Sequence, residues 1–158
     1  MTTRFSKRFD LVSEEETNQL GADIATGLNP GDTILLSGPI GAGKTHLARA
    51  MILSLLEEPE PVPSPTFTLI QSYRSREAEI LHADLYRLAD ISEITELGLE
   101  DAFGEAIVII EWPDRLPPEM VPDDSISIDF EPISSGRIVI LSTPRDLKFP
   151  VLEAAHRG

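Results

Sequence analysis

The sequence predicts a three-layer α/β domain with a mostly parallel central sheet and additional antiparallel strands. Two apolar runs, Thr33–Ser37 and 106–110, lack the polar alternation of half-exposed strands and are typical of strands buried on both faces. A glycine-rich loop and an apolar helical segment follow the first run, as in α/β folds built around a parallel sheet. Two later segments, 125–130 and 137–142, alternate in polarity and predict an antiparallel hairpin.

The segment before the glycine-rich loop predicts a strand and then a capped helix. Residues Phe5–Leu11 fit a first strand, and Ser13 with Glu16 three positions later forms the capping-box pattern of a helix start. Residues at helical spacing predict one buried helix face: Thr17, Leu20, Gly21, Ile24 and Leu28. Gly27 and the Asn-Pro-Gly sequence at 29–31 are expected to end this helix.

Residues 38–45 match the phosphate-binding loop pattern, in which Gly and four further residues precede Gly-Lys-Ser/Thr. Glycine tolerates backbone angles that a Cβ forbids, so the N–H groups of such a loop can surround an anion at the start of a helix. The predicted nucleotide-binding residues are Gly38, Gly41, Ala42, Gly43, Lys44 and Thr45, with His46 beside the phosphates. Lys44 is expected on the β- and γ-phosphates and the Thr45 hydroxyl on Mg²⁺. These features predict a P-loop NTPase-like domain.

The chain is predicted to form one continuous domain over 1–142 that extends well beyond the loop. Its elements are a helix over 43–56, strands over 67–73 and 79–83, short helices over 91–97 and 99–103, a strand over 106–110 and the hairpin strands. A stiff, proline-rich loop precedes the strand at 67–73. Residues 143–158 show no strong periodicity and are expected to form a C-terminal tail that can fray.

The composition excludes several classes of protein. A chain of 158 residues is large enough for one domain with its own core, and without cysteine it holds neither disulfides nor thiolate metal sites. The net charge of −14 and the scattered Lys and Arg residues argue against autonomous nucleic-acid binding. An acidic surface suits solubility or docking on a basic protein partner. No apolar leader or membrane-spanning run is present, so we expect a cytoplasmic protein without a membrane anchor.

Two carboxylates are candidates for completing a hydrolytic site. Hydrolysis requires an acid that holds Mg²⁺ and a group that places water at the γ-phosphate, and both belong at the carboxyl ends of strands beside the loop. Glu111 directly follows the apolar run 106–110, whereas Asp84 follows the strand at 79–83. Glu111 has the stronger context, because an Asp at a strand end also fits the cap of the turn that follows it.

The nucleotide is predicted to be ATP. The Asn-Lys-x-Asp pattern of guanine recognition is absent from the sequence. A small-molecule kinase is the less favoured enzyme class, since few arginines lie in loop-like positions where they would hold an acceptor phosphate. No arginine is recognisable as an arginine finger, the cationic group that accelerates many nucleotide hydrolases.

Five short motifs together resemble the bacterial TsaE family. They are GAGKT at 41–45, SPTFTL at 64–69, HADLYRL at 82–88, ELG at 96–98 and EWP at 111–113. The resemblance extends over about residues 9–142. Relatives often carry Thr or Ser in place of His46 and an acid in place of Pro39, and neither change removes a required donor, since Lys44 and Thr45 are present.

The resemblance implies an ATPase component of the system that installs threonylcarbamoyl on adenosine 37 of tRNA. It implies two protein partners, TsaD and TsaB, and no transfer of the carbamoyl group by this chain. Thr45 and Glu111 would hold Mg²⁺, and Asp84 would face the γ-phosphate to position water or metal. Thr66 would belong to a nucleotide-sensing switch loop over 64–66 with a catalytic role. Arg137 would lie near the nucleotide, and Trp112 would pack the strand end rather than contact the base.

Two modes of action remain open within this family assignment. In the first, the chain is a slow ATPase whose turnover a partner completes and whose hydrolysis drives or resets the transferase complex. In the second, the chain is a nucleotide-gated binding subunit in which ATP orders the loop at 64–66 and hydrolysis serves only as a reset. Autonomous tRNA binding is not expected in either mode because of the acidic charge balance.

Overall fold

A mixed sheet of seven strands forms the middle layer of the described structure. The computed structural model describes residues 4–56, 61–62, 69–75, 77–96, 98–150 and 152–153. The strands are β1 (Phe5–Leu11), β2 (Thr33–Ser37), β3 (Ile70–Arg74), β4 (Glu79–Asp84), β5 (Ile107–Glu111), β6 (Ile126–Ile133) and β7 (Gly136–Thr143). Their order across the sheet is β1-β7-β6-β2-β5-β4-β3. The four central strands, β6, β2, β5 and β4, pair in parallel, and antiparallel pairs flank them on both sides.

Helices cover both faces of this sheet and complete the three predicted layers. They are α1 (Glu14–Thr26), α2 (Lys44–Leu55), α3 (Ser92–Glu96) and α4 (Leu99–Ala102). Side chains of β2 point alternately to the two faces: Ile34 packs in the core beneath α1 and α2, whereas Leu35 packs in a second core with Ile94 and Leu99. Because β2 and β5 are buried on both faces, their sequences are continuous apolar runs, as predicted. None of the helices in the described part of the chain has the length and apolar character that a bilayer crossing needs.

The contacts between α1 and α2 set the position of the glycine-rich loop. Ser13 caps α1, since its Oγ accepts a hydrogen bond from the Glu16 N–H at 3.2 Å, while the Glu16 carboxylate accepts from the Val12 N–H at 2.7 Å. This confirms the predicted cap. At Gly21 a Cβ would lie 2.6 Å from the Cβ of Ala50, so the missing side chain allows the two helices to approach closely. Helix α2 is thereby held against the sheet with its N-terminus at the end of β2.

The predicted hairpin is longer than expected and joins the central sheet. Its strands extend to Ile133 and Thr143, and β6 also pairs in parallel with β2, which the polarity pattern did not predict. Strand β3 begins at Ile70 in the described structure, and residues 67–68 of the predicted strand lie outside the described residues.

The described residues after β7 pack on the core, whereas the sequence predicted a C-terminal tail over 143–158 that can fray. Strand β7 includes Thr143, and Leu147, Phe149 and Leu152 belong to the core beneath α1 and α2. Asp23 of α1 accepts a hydrogen bond from the Leu152 N–H at 2.9 Å. Arg145 binds Asp32, with 2.9 Å between Nη1 and Oδ1. The segment shows no periodicity because it buries single apolar residues from irregular backbone and from one short helical turn.

We predict that Phe149→Ala lowers the free energy of unfolding by about 3–5 kcal/mol, because it removes a ring that is 2% exposed and lies edge-on to Phe9 with centroids 4.8 Å apart. Urea denaturation measures this loss. Phe5→Ala in β1 is the matched control, since Phe5 is 45% exposed and its truncation is expected to cost less than about 1 kcal/mol. Equal stabilities of the Phe149→Ala variant and the wild type would show that the C-terminal segment does not contribute to the core.

Candidate nucleotide site

The glycine-rich loop occupies residues 38–43 between the end of β2 and the start of α2. Each of its glycines has a positive φ, and at Gly38 the available space also excludes a side chain. Gly38 has φ of 145° and a Cβ there would lie 2.8 Å from the carbonyl oxygen of Phe130 in β6. Gly43 has φ of 106°, directly before the first residue of α2. The loop therefore follows a path that other residues would oppose, and it ends at the positive end of a helix dipole.

Lys44 lies on the loop and on an aromatic ring. Its ammonium donates to the carbonyl oxygens of Gly38 and of Pro39, the latter at 3.2 Å. It also lies 3.7 Å from the centroid of the Trp112 ring, a cation–π contact. Burial lowers the pKa of Lys44, while the charges of Glu111 and Asp84 oppose this shift. The ammonium is thus held at the end of the sheet by two loop carbonyl groups and an aromatic ring.

Glu111 has a hydrogen-bond partner within the site on each of its carboxylate oxygens. It ends β5, whose parallel pairing with β2 brings it beside the glycine-rich loop. Its Oε1 accepts from the Thr45 hydroxyl at 2.6 Å, and its Oε2 lies 2.6 Å from Nε2 of His82. Both Glu111 and His82 are buried. Thr45 and Glu111 are therefore in contact, as expected for two residues of one site. The contact also includes His82, which belongs to the HADLYRL motif and to which the sequence analysis assigned no role.

Asp84 ends β4 and is paired in register with Glu111 across the parallel β4–β5 ladder. Its Oδ1 accepts from the Tyr86 N–H at 3.1 Å, so the capping contact considered from the sequence is present. Burial raises the pKa of Asp84, and the Tyr86 N–H opposes the shift while the nearby Glu111 charge reinforces it. The carboxylate caps a turn and also lines the cavity described below.

Trp112 lies in the wall of the site in a left-handed conformation. Its φ is 63°, and no other non-glycine residue in the described part of the chain has a positive φ. Such backbone costs about 1–3 kcal/mol and is concentrated at functional sites. The indole packs on the ring of Tyr86 with centroids 5.0 Å apart. Trp112 therefore packs the strand end and at the same time faces Lys44, a contact that the sequence did not indicate.

Two further predicted residues lie beside the loop. Arg137, in β7, lies over Gly43, because a Cβ built on that glycine would be 2.1 Å from its Nη1. His46 in α2 has its Nε2 2.8 Å from Oδ1 of Asn18 in α1. The hairpin thus brings a guanidinium to the loop, and His46 links the two helices beside it.

These groups surround one cavity of about 410 Å³. Its lining consists of Glu14, Ile40, Gly41, Ala42, Gly43, Lys44, Thr45, His46, Asp84, Tyr86, Glu111, Trp112 and Arg137. Of the predicted site residues, Gly38 lies behind the loop against β6, and Thr66 lies outside the described residues. His82, Tyr86 and Trp112 were not predicted as site residues. The signal for His82 was its spacing of two from Asp84, which places both side chains on one face of β4.

Comparisons with known proteins identify the family of the chain. The family model described as threonylcarbamoyl adenosine biosynthesis protein TsaE matches residues 11–139. The chain belongs to the TsaE family. Among its relatives, a protein of Rickettsia conorii is 39% identical over 127 residues, which cover 80% of this chain and 72% of the relative. A protein of Aquifex aeolicus is 37% identical over 110 residues, covering 69% of this chain and 78% of the relative. Both are named tRNA threonylcarbamoyladenosine biosynthesis protein TsaE.

The fold of this TsaE-family protein is also found in a solved structure. The crystal structure of Bacillus subtilis YdiB superposes with a TM-score of 0.66 and 23% identity, covering 100% of this chain and 99% of YdiB. This likeness confirms the α/β fold. The family assignment confirms the resemblance inferred from the five motifs, and as a TsaE-family protein the chain takes part in threonylcarbamoyladenosine biosynthesis in tRNA.

We predict that Asp84→Asn raises the stability of the nucleotide-free protein at neutral pH. A carboxyl whose pKa is raised on folding binds its proton more tightly in the folded chain, so its ionised form destabilises the fold. This destabilisation is fully present above the raised pKa and disappears as the pH falls below the ordinary value. The amide oxygen can still accept from the Tyr86 N–H.

Thermal unfolding from about pH 7 to about pH 4 measures the effect, and the gain in Tm is expected to shrink as the pH falls. Asp10→Asn in β1 is the control, since that carboxylate is exposed and does not line the cavity. A lower Tm for Asp84→Asn at neutral pH would contradict the prediction and indicate that the charged cap outweighs the cost of burial.

Proposed function

We propose that this TsaE-family protein is a Mg²⁺-dependent ATPase that hydrolyses ATP to drive or reset a partner transferase complex. The supporting observation is the convergence of a glycine-rich loop, Lys44, Thr45 and two strand-end carboxylates on one cavity at the N-terminus of α2. Loop N–H groups, the ammonium and the helix dipole form a complementary environment for a polyphosphate. Asp84 and Glu111 add the acidic groups that hydrolysis requires and that binding of a phosphate alone does not.

The donor set fits Mg²⁺, a hard cation that prefers oxygen ligands. The hydroxyl of Thr45 and the carboxylate of Glu111 are only 2.6 Å apart, and both belong to the cavity. We assign these two side chains as the groups that would hold Mg²⁺. The ion would neutralise charge on the phosphate oxygens during transfer to water. ATP is preferred to GTP because the guanine-recognition pattern is absent from the sequence.

The remaining residues receive distinct roles in this proposal. Loop residues Gly38, Gly41, Ala42 and Gly43 provide backbone contacts, Lys44 binds the β- and γ-phosphates, and His46 lies next to them. Asp84 positions the attacking water, and its raised pKa brings it closer to the range of a general base. Thr66 is assigned to the nucleotide-sensing loop with a catalytic role.

Arg137 is proposed to bind the nucleotide phosphates from within the same chain. Its guanidinium lies over Gly43 and lines the cavity, and it makes no hydrogen bond or ion pair to another described residue. Guanidinium groups bind phosphate oxygens through paired N–H donors. In this proposal Arg137 supplies a positive charge at the phosphates, from the position near the nucleotide that the family resemblance implies.

The proposed partners are TsaD-like and TsaB-like proteins. The net charge of −14 disfavours direct binding of tRNA by this chain, so the substrate RNA is expected to contact the partners. We infer a cytoplasmic location from the role in tRNA modification. A hydrolytic site that depends on an additional protein would turn over slowly by itself.

Phosphate release with and without these partners tests the proposed function. We expect slow ATP hydrolysis by the isolated wild type and faster hydrolysis in the presence of the partners. Lys44→Ala is expected to lose nucleotide binding, whereas Glu111→Gln keeps side-chain volume and binding but loses turnover. Binding can be followed by intrinsic fluorescence, because Trp112 is the single tryptophan of the chain and lies in the cavity wall.

Three results would redirect the proposal. Rapid hydrolysis by the isolated chain that partners do not change would contradict dependence on a partner. Repeated rounds of tRNA modification with Glu111→Gln would favour the nucleotide-gated binding subunit, since hydrolysis would not be essential. Transfer of labelled γ-phosphate to a small acceptor instead of water would indicate a kinase.

We predict that Arg137→Ala lowers kcat/KM for ATP by about 10–100-fold, the equivalent of one lost charge-assisted hydrogen bond. Steady-state phosphate release measures this change. Arg115→Ala is the matched control, because Arg115 is exposed, carries the same charge and does not line the cavity. Activity of the Arg137→Ala variant within about twofold of the wild type and of the control would exclude a role for the guanidinium in nucleotide binding.

A further inference from the structure

His82 and Glu111 form a buried pair at the end of the sheet. Nε2 of His82 lies 2.6 Å from Oε2 of Glu111, and the two side chains are 1% and 2% exposed. The second carboxylate oxygen accepts from the Thr45 hydroxyl. Each oxygen of Glu111 therefore has one hydrogen-bond partner, His82 of β4 on one side and Thr45 of α2 on the other, and together they define the plane of the carboxylate.

His82 occupies a position that otherwise belongs to the apolar core. It lies on the same face of β4 as Ile80, which packs in the core beneath α1 and α2, and it is paired in register with Ile109 of β5. A polar ring buried in such a place is unfavourable unless its polar atoms are bonded. Its Nδ1 is buried and has no hydrogen-bond partner among the described residues. Within the described ranges the ring bonds only to Glu111 of the adjacent strand β5, so it does not join a distant element to the sheet.

We propose that His82 is a positioning residue that orients the Glu111 carboxylate for Mg²⁺ through an Nε2–H donor. This inference rests on the proposed function, because it takes Glu111 as a metal-holding group. Groups behind a metal ligand fix the orientation of the ligand, and their loss typically reduces metal affinity or activity by about 10–100-fold. His82 acts through Glu111 and does not line the nucleotide cavity itself.

Three substitutions of His82 separate orientation from simple filling of space. His82→Gln keeps an N–H donor at about the depth of Nε2, His82→Asn places its amide too far back to reach Glu111, and His82→Leu removes the donor. Ile80→Val is the control for a mild core change on the same face of β4. Urea unfolding first establishes which variants are folded, and if His82→Leu does not fold, the comparison of His82→Gln with His82→Asn decides.

Mg²⁺ binding to the ADP complex, measured by calorimetry, is the main readout, with ADP affinity in EDTA as the reference. We expect ADP affinity in EDTA to stay within about twofold of the wild type in every folded variant. Mg²⁺ affinity is expected to fall about 10–100-fold in His82→Leu and His82→Asn, and to recover to within about threefold of the wild type in His82→Gln. Unchanged Mg²⁺ affinity in His82→Leu and His82→Asn, or an equal loss in His82→Gln, would overturn the proposal.

Nitrogen-15 NMR of the ring provides a readout that needs no nucleotide. The chain has three histidines, and the His82 signals are identified by their absence in His82→Gln. We expect Nε2 to carry a proton, with ring signals that shift in Glu111→Gln and not in Ile80→Val. A ring protonated at Nδ1 alone would overturn the proposed donor.

The wild type distinguishes failure of this inference from failure of the proposed function. If the wild-type protein binds no nucleotide, or binds it without any effect of Mg²⁺, the proposed function fails and the positioning role fails with it. If the wild type binds Mg²⁺ and ADP together, and His82→Leu and His82→Asn do so equally well, only the role of His82 is excluded.

Discussion

The parallel pairing of β4, β5 and β2 is the constraint on which the site depends. Parallel strands end at the same edge of a sheet, so the register that pairs Asp84 with Glu111 also brings both carboxylates to the glycine-rich loop after β2. The 2.6 Å contact between Thr45 and Glu111 joins residues 66 positions apart in the chain. A shift of β4 by one residue would turn Asp84 to the opposite face of the sheet from Glu111.

The site gathers groups that are unfavourable for stability unless they are paired. Lys44, His82 and Glu111 are buried, Asp84 is kept partly from water, and Trp112 has a left-handed backbone. Lys44, His82 and Glu111 are each stabilised by a polar partner within the site. In the proposed function, a nucleotide and Mg²⁺ would bind some of these same groups. Such local conflicts with the ordinary preferences of a core are typical of functional sites. The apolar cores on both faces of the sheet stabilise the fold and so keep these polar groups in position.

Elements distant from the loop support its position. Helix α1 packs on α2 through Gly21, and the segment after β7 closes the core beneath both helices with Leu147, Phe149 and Leu152. The same β6–β7 hairpin brings Arg137 onto Gly43. The C-terminal third of the chain therefore contributes both to the stability of the loop support and to the positive charge at the cavity.

Local patterns in the sequence were sufficient for the elements and for the chemistry of the loop. The buried strands, the Ser13 cap, the phosphate-binding pattern and the candidate acids Asp84 and Glu111 all depend on neighbouring residues, so they can be recognised along the chain. The partnership of His82 with Glu111, the approach of Arg137 to Gly43 and the packing of Phe149 on Phe9 required the tertiary structure. These contacts join residues far apart in sequence, and they follow from strand order and register, which no local pattern encodes.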